Sequence, residues 1–197
     1  VLPEIRSRAR GRIVFYGHDI HHLRMLEQVR LEPGSLSLRA EQQRLQALEQ
    51  QLWTQVDVVL YPSETETEVV RRYLQEHGAE GVAATLPAYA FESFADDASA
   101  SLATRSGVLM VAGFAHPPNI DAARWLVQEI MPRVWQSAPD TQVALVGSNP
   151  SPEVLALADR KVSVTGFVPE AELERRYATA RVVVAPLRFG GGVKGKV

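Results

Sequence analysis

The stretch Pro186–Val197, PLRFGGGVKGKV, is dense in residues that could bind an anion. Gly190, Gly192 and Gly195 fit the G-x-G-x-x-G spacing of dinucleotide loops, while Gly190, Gly195 and Lys196 fit most of the G-x-x-x-x-G-K-[ST] spacing of triphosphate loops. Both patterns work by presenting backbone N–H groups to phosphate at the start of a helix. The triphosphate loop also needs a hydroxyl after its lysine, to hold the magnesium ion that bridges the phosphates. Val197 supplies none. The dinucleotide loop needs an acidic residue about 20 positions further on for the ribose 2′-hydroxyl, and that position lies past Val197. Such a loop also ordinarily follows the first strand of its domain, not a fourth. What survives is plainer: Gly190, Gly191 and Gly192 let the backbone approach an anion closely, and Lys194 and Lys196 add point charges before an expected helix. That set suits a diphosphate without a metal, with a flexible surface turn and solvated lysines as the alternative.

His18, His21 and His22 form a second group that could do chemistry. Their spacing lacks a further ligand set suited to zinc, so a metal is not expected. His18 closes an apolar run in "FYGHD", where it could face a ligand or, with Asp19, cap the next helix. Arg6, Arg8, Arg10 and Arg12 alternate and would share one face of a strand. Solvated side chains are the expectation there, with docking to an anionic bilayer as the more distant reading. Trp53, Trp125 and Trp135 sit on apolar helical faces, where core packing is expected.

The elements that must position these residues follow from the apolar pattern. Val- and Ile-rich runs at 13–17, 56–62, 81–87, 108–113, 142–147, 162–166 and 182–186 read as buried strands. Helical patterns lie between most of them. Leu38, Leu45, Leu48 and Leu52 recur at helix spacing, Ser63 with Glu66 makes a capping box, and Asn119 reads as the N-cap of a helix carrying Ala122, Ala123, Leu126 and Ile130. Strand and helix alternate, which predicts an α/β fold of parallel sheets covered by helices on both faces. The segment 88–106 is small, polar and aperiodic, and reads as a linker. It divides the chain into domains at 1–104 and 105–197. A single domain of seven strands with a long loop is the alternative.

Composition limits the partners. The 197 residues are 46% hydrophobic, enough for real cores, and the formal charge of −2 gives no general reason to seek nucleic acid or an anionic membrane. With no cysteine there is no disulfide framework or thiolate metal site. No stretch approaches the roughly 20 apolar residues of a membrane span. The protein reads as cytoplasmic. The chain begins without Met and stops just after a glycine loop that should open a helix, so it also reads as a fragment.

The ordered segments "GFAHPPNIDA", "VTGFV" and "APLRFGGGVKGK" in the second half resemble the C-terminal domain of bacterial group 1 glycosyltransferases. The first half is similar, more loosely, to the end of that family's N-terminal domain, through "VFYGHDIHHLRMLE" and "WTQVDVVLYPSETETE". The resemblance implies a GT-B fold: two Rossmann-like domains facing across a cleft, both incomplete in this chain, with 1–104 the acceptor side plus linker and 105–197 the nucleotide-sugar side. It implies a retaining transferase that takes a nucleoside-diphosphate sugar as substrate, without cofactor or metal, and moves the sugar to a cell-surface glycan or lipid-linked acceptor. Peripheral contact with the inner face of the cytoplasmic membrane would go with such an acceptor.

Carried over residue by residue, the match is uneven. The positions where relatives grip the diphosphate with Arg and Lys read Phe114 and, approximately, Asn119. Lys194 and Lys196, with Arg188 behind them, are the expected replacement, alongside Gly190, Gly191 and Gly192. One glutamate that relatives use for the donor would fall near Gly191 and is absent, and a second would fall beyond Val197. His18 matches a histidine that faces the donor sugar, and is the candidate catalytic residue in a positioning role. A nucleotide-sugar epimerase of the same fold and a non-catalytic nucleotide-binding module remain alternatives, and the fragment alone is expected to be inactive.

Overall fold

The computed structural model describes residues 2–8, 10–89 and 102–193. The chain forms two compact units, the first made of Val1–Glu92 with Phe189–Gly195 and the second of Ser93–Arg188 with Lys196–Val197. The glycine-rich stretch that the sequence assigns to the second domain therefore packs in the first unit. Lys194 and Lys196, and most of the 88–106 linker, lie outside the described residues.

The first unit runs α1 (Leu2–Arg8), β1 (Val14–Tyr16), α2 (His21–Leu31), α3 (Leu36–Gln55), β2 (Val58–Tyr61), α4 (Glu64–Glu76) and β3 (Val82–Thr85). Its strands form a parallel sheet in the order β1-β2-β3, with Val14, Val58 and Val82 in register. Strands laid down side by side without reversal, joined by right-handed crossovers, put every crossover helix on one face. On that face Phe15, Val59, Tyr61 and Ala83 pack with Ile20, Trp53, Val70 and Leu74. On the other face Val14 is 55% and Val82 58% exposed.

The second unit begins with a 3-10 turn at Leu102–Thr104. It continues through β4 (Ser106–Val111), α5 (Pro117–Trp125), a π turn (Leu126–Ile130), α6 (Met131–Ser137), β5 (Val143–Val146), α7 (Pro152–Leu155), β6 (Val162–Val164), α8 (Glu170–Thr179) and β7 (Ala180–Val183). The parallel order is β6-β5-β4-β7. Here the direction of strand addition reverses after β6, so the helices divide between faces. Met110, Val143, Leu145 and Val162 pack with Ala122, Ala123, Leu126 and Met131, while Leu109 and Val146 on the reverse face meet Leu173 of α8. Among the described residues, helices on both faces are thus found in the second unit and not in the first, and strand order is the reason.

Several local expectations change. Arg6 and Arg8 lie in a helix, not a strand, and Arg6 pairs with Asp57 at 2.6 Å. Leu48 is exposed on α3, whose buried face instead includes Glu49 and Trp53. Asn119 is not the N-cap of α5, because the helix starts two residues earlier at Pro117 with His116 before it. Pro is well tolerated in a first turn, where its missing N–H has no partner to lose.

Candidate functional site

In the second unit the motif loops all leave the carboxyl end of one parallel sheet. The loop after β4 is tied to the loop after β5 by the Phe114 N–H donating to Ser148 O at 2.9 Å. The loop after β5 is tied to the loop after β6 by the Gly147 N–H donating to Gly166 O at 2.9 Å. Gly147, at φ +149, is needed for close approach: a Cβ there would lie 1.7 Å from the Ala112 carbonyl oxygen. Phe114 is fully buried. Phe114 is therefore a core anchor for the loop after β4.

The order β6-β5-β4-β7 reverses between β4 and β7, and open α/β sheets bind ligands outside the carboxyl ends of strands at such a switch point. Asn119 and Arg188 both stand on elements that leave this edge. Asn119 is 5% exposed, and its Nδ2 donates to Gly113 O at 2.8 Å, so its amide holds the loop that precedes α5. Arg188 Nε donates to Asp121 Oδ2 at 2.8 Å, with a second bond between its Nη2 and Oδ1. Its guanidinium carbon sits 5.7 Å from the ring centre of Trp125. Trp125 is half-buried beneath that cation and is not the core residue its helical position predicts. Asp121 is a partner of Arg188 that the sequence does not single out, since it belongs to no spacing pattern.

In the first unit the turn after β1 carries His18 and Asp19. His18 is exposed and meets Tyr16 edge-on, with ring centres 5.6 Å apart. Asp19 is buried and accepts from Arg24 Nη1 at 2.6 Å. Neither caps α2. Glu49 does so from α3, with Oε1 accepting from the His21 N–H at 2.8 Å and Oε2 from the His22 N–H at 3.0 Å, and both imidazole Nδ1 atoms lie against the same carboxylate. Burial pushes the Glu49 carboxyl up, but the bonds from His22 and His21 outweigh it and leave the group below the ordinary glutamate value. His21 and His22 are thus engaged by one carboxylate, and among the described residues no group of three His, Cys, Asp or Glu could hold a metal ion.

Gly191 and Gly192 are pressed onto the His18 turn. A Cβ on Gly191 would lie 2.7 Å from Asp19 Oδ2, and one on Gly192, at φ +69, would lie 2.5 Å from His18 O. The Gly192 N–H donates to Glu66 Oε1 at 2.9 Å. The structure therefore brings Gly191 and Gly192, but not Gly190, against the turn of His18 and Asp19 in the first unit, and joins Arg188 to the helix of Asn119 in the second.

Residues 105–197 match the family described as "Glycosyl transferases group 1". Over these residues the chain is similar to a group 1 glycosyltransferase domain. Among solved structures, the chain is similar to an alpha,alpha-trehalose-phosphate synthase (UDP-forming) from Burkholderia vietnamiensis, at 14% identity and a TM-score of 0.52, over 96% of this chain and 57% of that one. It also aligns with an alpha,alpha-trehalose 6-phosphate synthase from Burkholderia multivorans at 15% identity and a TM-score of 0.49, over 96% of this chain and 54% of that one. The first likeness supports the fold, two Rossmann-like α/β domains of the GT-B kind, and the chain spans little more than half the length of either structure. A comparison with curated proteins finds no match. No helix among the described residues is long and apolar enough to cross a membrane.

Proposed function

We propose that the protein to which this chain belongs moves a sugar from a nucleoside-diphosphate donor to a cell-surface glycan or lipid-linked acceptor, with retention of configuration. The observation that carries the proposal is the family match over 105–197 on a unit whose motif loops all leave one carboxyl edge of a parallel sheet. In this reading residues 1–104 form the acceptor side and 105–197 the donor side.

The bond that breaks joins the anomeric carbon to the diphosphate oxygen, and the departing diphosphate gathers negative charge that pre-placed donors must meet. Lys194, Lys196 and Arg188 supply positive charge, and Gly190 and Gly191 supply backbone donors, while the Gly192 N–H is held by Glu66. Arg188 must share itself between the diphosphate and Asp121. Asn119 acts indirectly, by fixing the loop before α5. His18 hydrogen-bonds a sugar hydroxyl and orients the donor, while the acceptor hydroxyl attacks the face that the diphosphate leaves and gives its proton to the departing diphosphate oxygen. Charge neutralisation by these side chains suits a reaction without a bound metal.

The test is a thermal-shift titration of the complete protein with UDP, GDP and dTDP, followed by product analysis with the stabilising sugar nucleotide. A shift with one nucleotide and transfer to an added acceptor is expected. A folded sample that responds to none of them would overturn the proposal, and an altered sugar nucleotide formed without acceptor would point to an epimerase.

A further inference from the structure

Glu66 stands in the first turn of α4, three residues after Ser63. At that spacing its carboxyl ordinarily reaches back to the Ser63 N–H. Only half of that box forms: Ser63 Oγ accepts from the Glu66 N–H at a long 3.5 Å. The carboxyl instead leaves its own helix. Its Oε1 accepts from the Ile20 N–H at 3.0 Å and from the Gly192 N–H at 2.9 Å, so one oxygen joins two backbone segments far apart in sequence. The side chain is 7% exposed, and its Oε2 is buried without a hydrogen-bond partner among the described residues.

We propose that Glu66 is a positioning residue for the nucleoside-diphosphate site, seating the glycine loop against the turn that bears His18 by holding the Gly192 and Ile20 N–H groups on one carboxyl oxygen. This rests on the donor-binding reading above. It gives Gly191 and Gly192 a reason that phosphate alone does not: any side chain on either would strike Asp19 or the His18 carbonyl, and the loop could not reach Glu66.

The surroundings also say in which form Glu66 works. From the turn after β1 it faces Asp19, paired with Arg24. From α3 it faces Glu49, paired with His21 and His22. β2 offers the Tyr61 hydroxyl, α4 offers Ser63 and Thr67, and the described part of the glycine loop offers no charge. Burial pushes the Glu66 carboxyl up, the two N–H bonds oppose this, and the charges of Asp19 and Glu49 add to the rise. A neutral carboxyl still accepts through its carbonyl oxygen and does not repel a diphosphate, whereas an ionised one beside Asp19 does.

The experiment compares wild type, Glu66→Ala, Glu66→Gln and Gly192→Ala in the complete protein. Amide hydrogen exchange is read at Gly191, Gly192 and Val193, and affinity is read with UDP-glucose or GDP-mannose, whose diphosphate diesters keep a constant charge. Glu66→Ala and Gly192→Ala should each speed exchange about tenfold or more and weaken sugar-nucleotide binding about tenfold. Glu66→Gln, a neutral acceptor of the same shape, should restore both. Wild-type affinity should fall as pH rises above the ordinary glutamate value, while Glu66→Gln stays flatter. Unchanged exchange in Glu66→Ala, a folded Glu66→Gln as defective as Glu66→Ala, or parallel pH profiles would each overturn the proposal. Absence of binding by wild type to either sugar nucleotide would instead overturn the donor-binding reading, and the site role of Glu66 with it.

Discussion

Arg188 and Asp121 join the loop after β7 to the helix after β4, with Arg188 Nε 2.8 Å from Asp121 Oδ2 and the guanidinium held over Trp125. The side chains are 37% and 21% exposed, so the pair is worth little to folding. Asp121→Asn should lower unfolding free energy by less than about 1 kcal/mol. If Arg188 serves the diphosphate, the same change should tighten UDP binding about threefold, and Arg188→Ala should weaken it about tenfold. Denaturant melts and calorimetric titration of the complete protein check both, and affinities indifferent to both changes would remove Arg188 from the site.

Gly147 lets the loop after β5 cross against Ala112 at the end of β4. Gly147→Ala puts a methyl group where 1.7 Å separates it from a backbone oxygen, at a φ that side chains rarely adopt. Backbone at that spot cannot give way as a flexible side chain could. We expect a loss of about 3 kcal/mol or more, read by urea unfolding followed at Trp135.

Glu49 holds two N–H groups of α2 inside the protein. Glu49→Ala leaves them buried without their carboxylate and should cost about 2 to 4 kcal/mol at neutral pH, with Glu49→Gln costing less. Because the Glu49 carboxyl is held below its ordinary value, its contribution is present above that value and is lost as pH falls through the folded one. The gap between wild type and Glu49→Ala should therefore narrow in acid, and a gap independent of pH would refute the assignment.

Glu66 should behave with the opposite sign. Its carboxyl is raised on folding, chiefly by burial, so its favourable contribution is present below the ordinary glutamate value and is lost as pH rises through the folded one. Glu66→Gln should accordingly be more stable than wild type toward neutral pH and lose that advantage toward acid. Urea unfolding of the two proteins across that range decides it, and a constant difference would count against a raised carboxyl.

All seven strands are legible in the sequence, because strands of a parallel sheet read as unbroken Val- and Ile-rich runs. The carboxyl-end loops are legible for the same reason, since each follows a run that ends in Gly or Pro. What fails is whatever depends on a partner distant in the chain. Glu49 interrupts the leucine stripe of α3 because its partners are the N–H groups of α2, and Leu48 is exposed as a result. Glu66 has the spacing of a local cap and serves two remote segments instead. The glycines of "FGGGVKGK" announce close backbone approach, but not that the approached group is the His18 turn. The one-sided first sheet follows from strand order, which no local pattern encodes.

Val14 and Val82, in register across that sheet through Val58, turn branched aliphatic groups outward beside Tyr16. For whoever handles residues 1–197 as they stand, this makes the polypeptide adhesive in a colloidal sense. Light scattering should climb with concentration and with sulfate, which strengthens apolar contact, and a lysine placed at Val82 should quieten it.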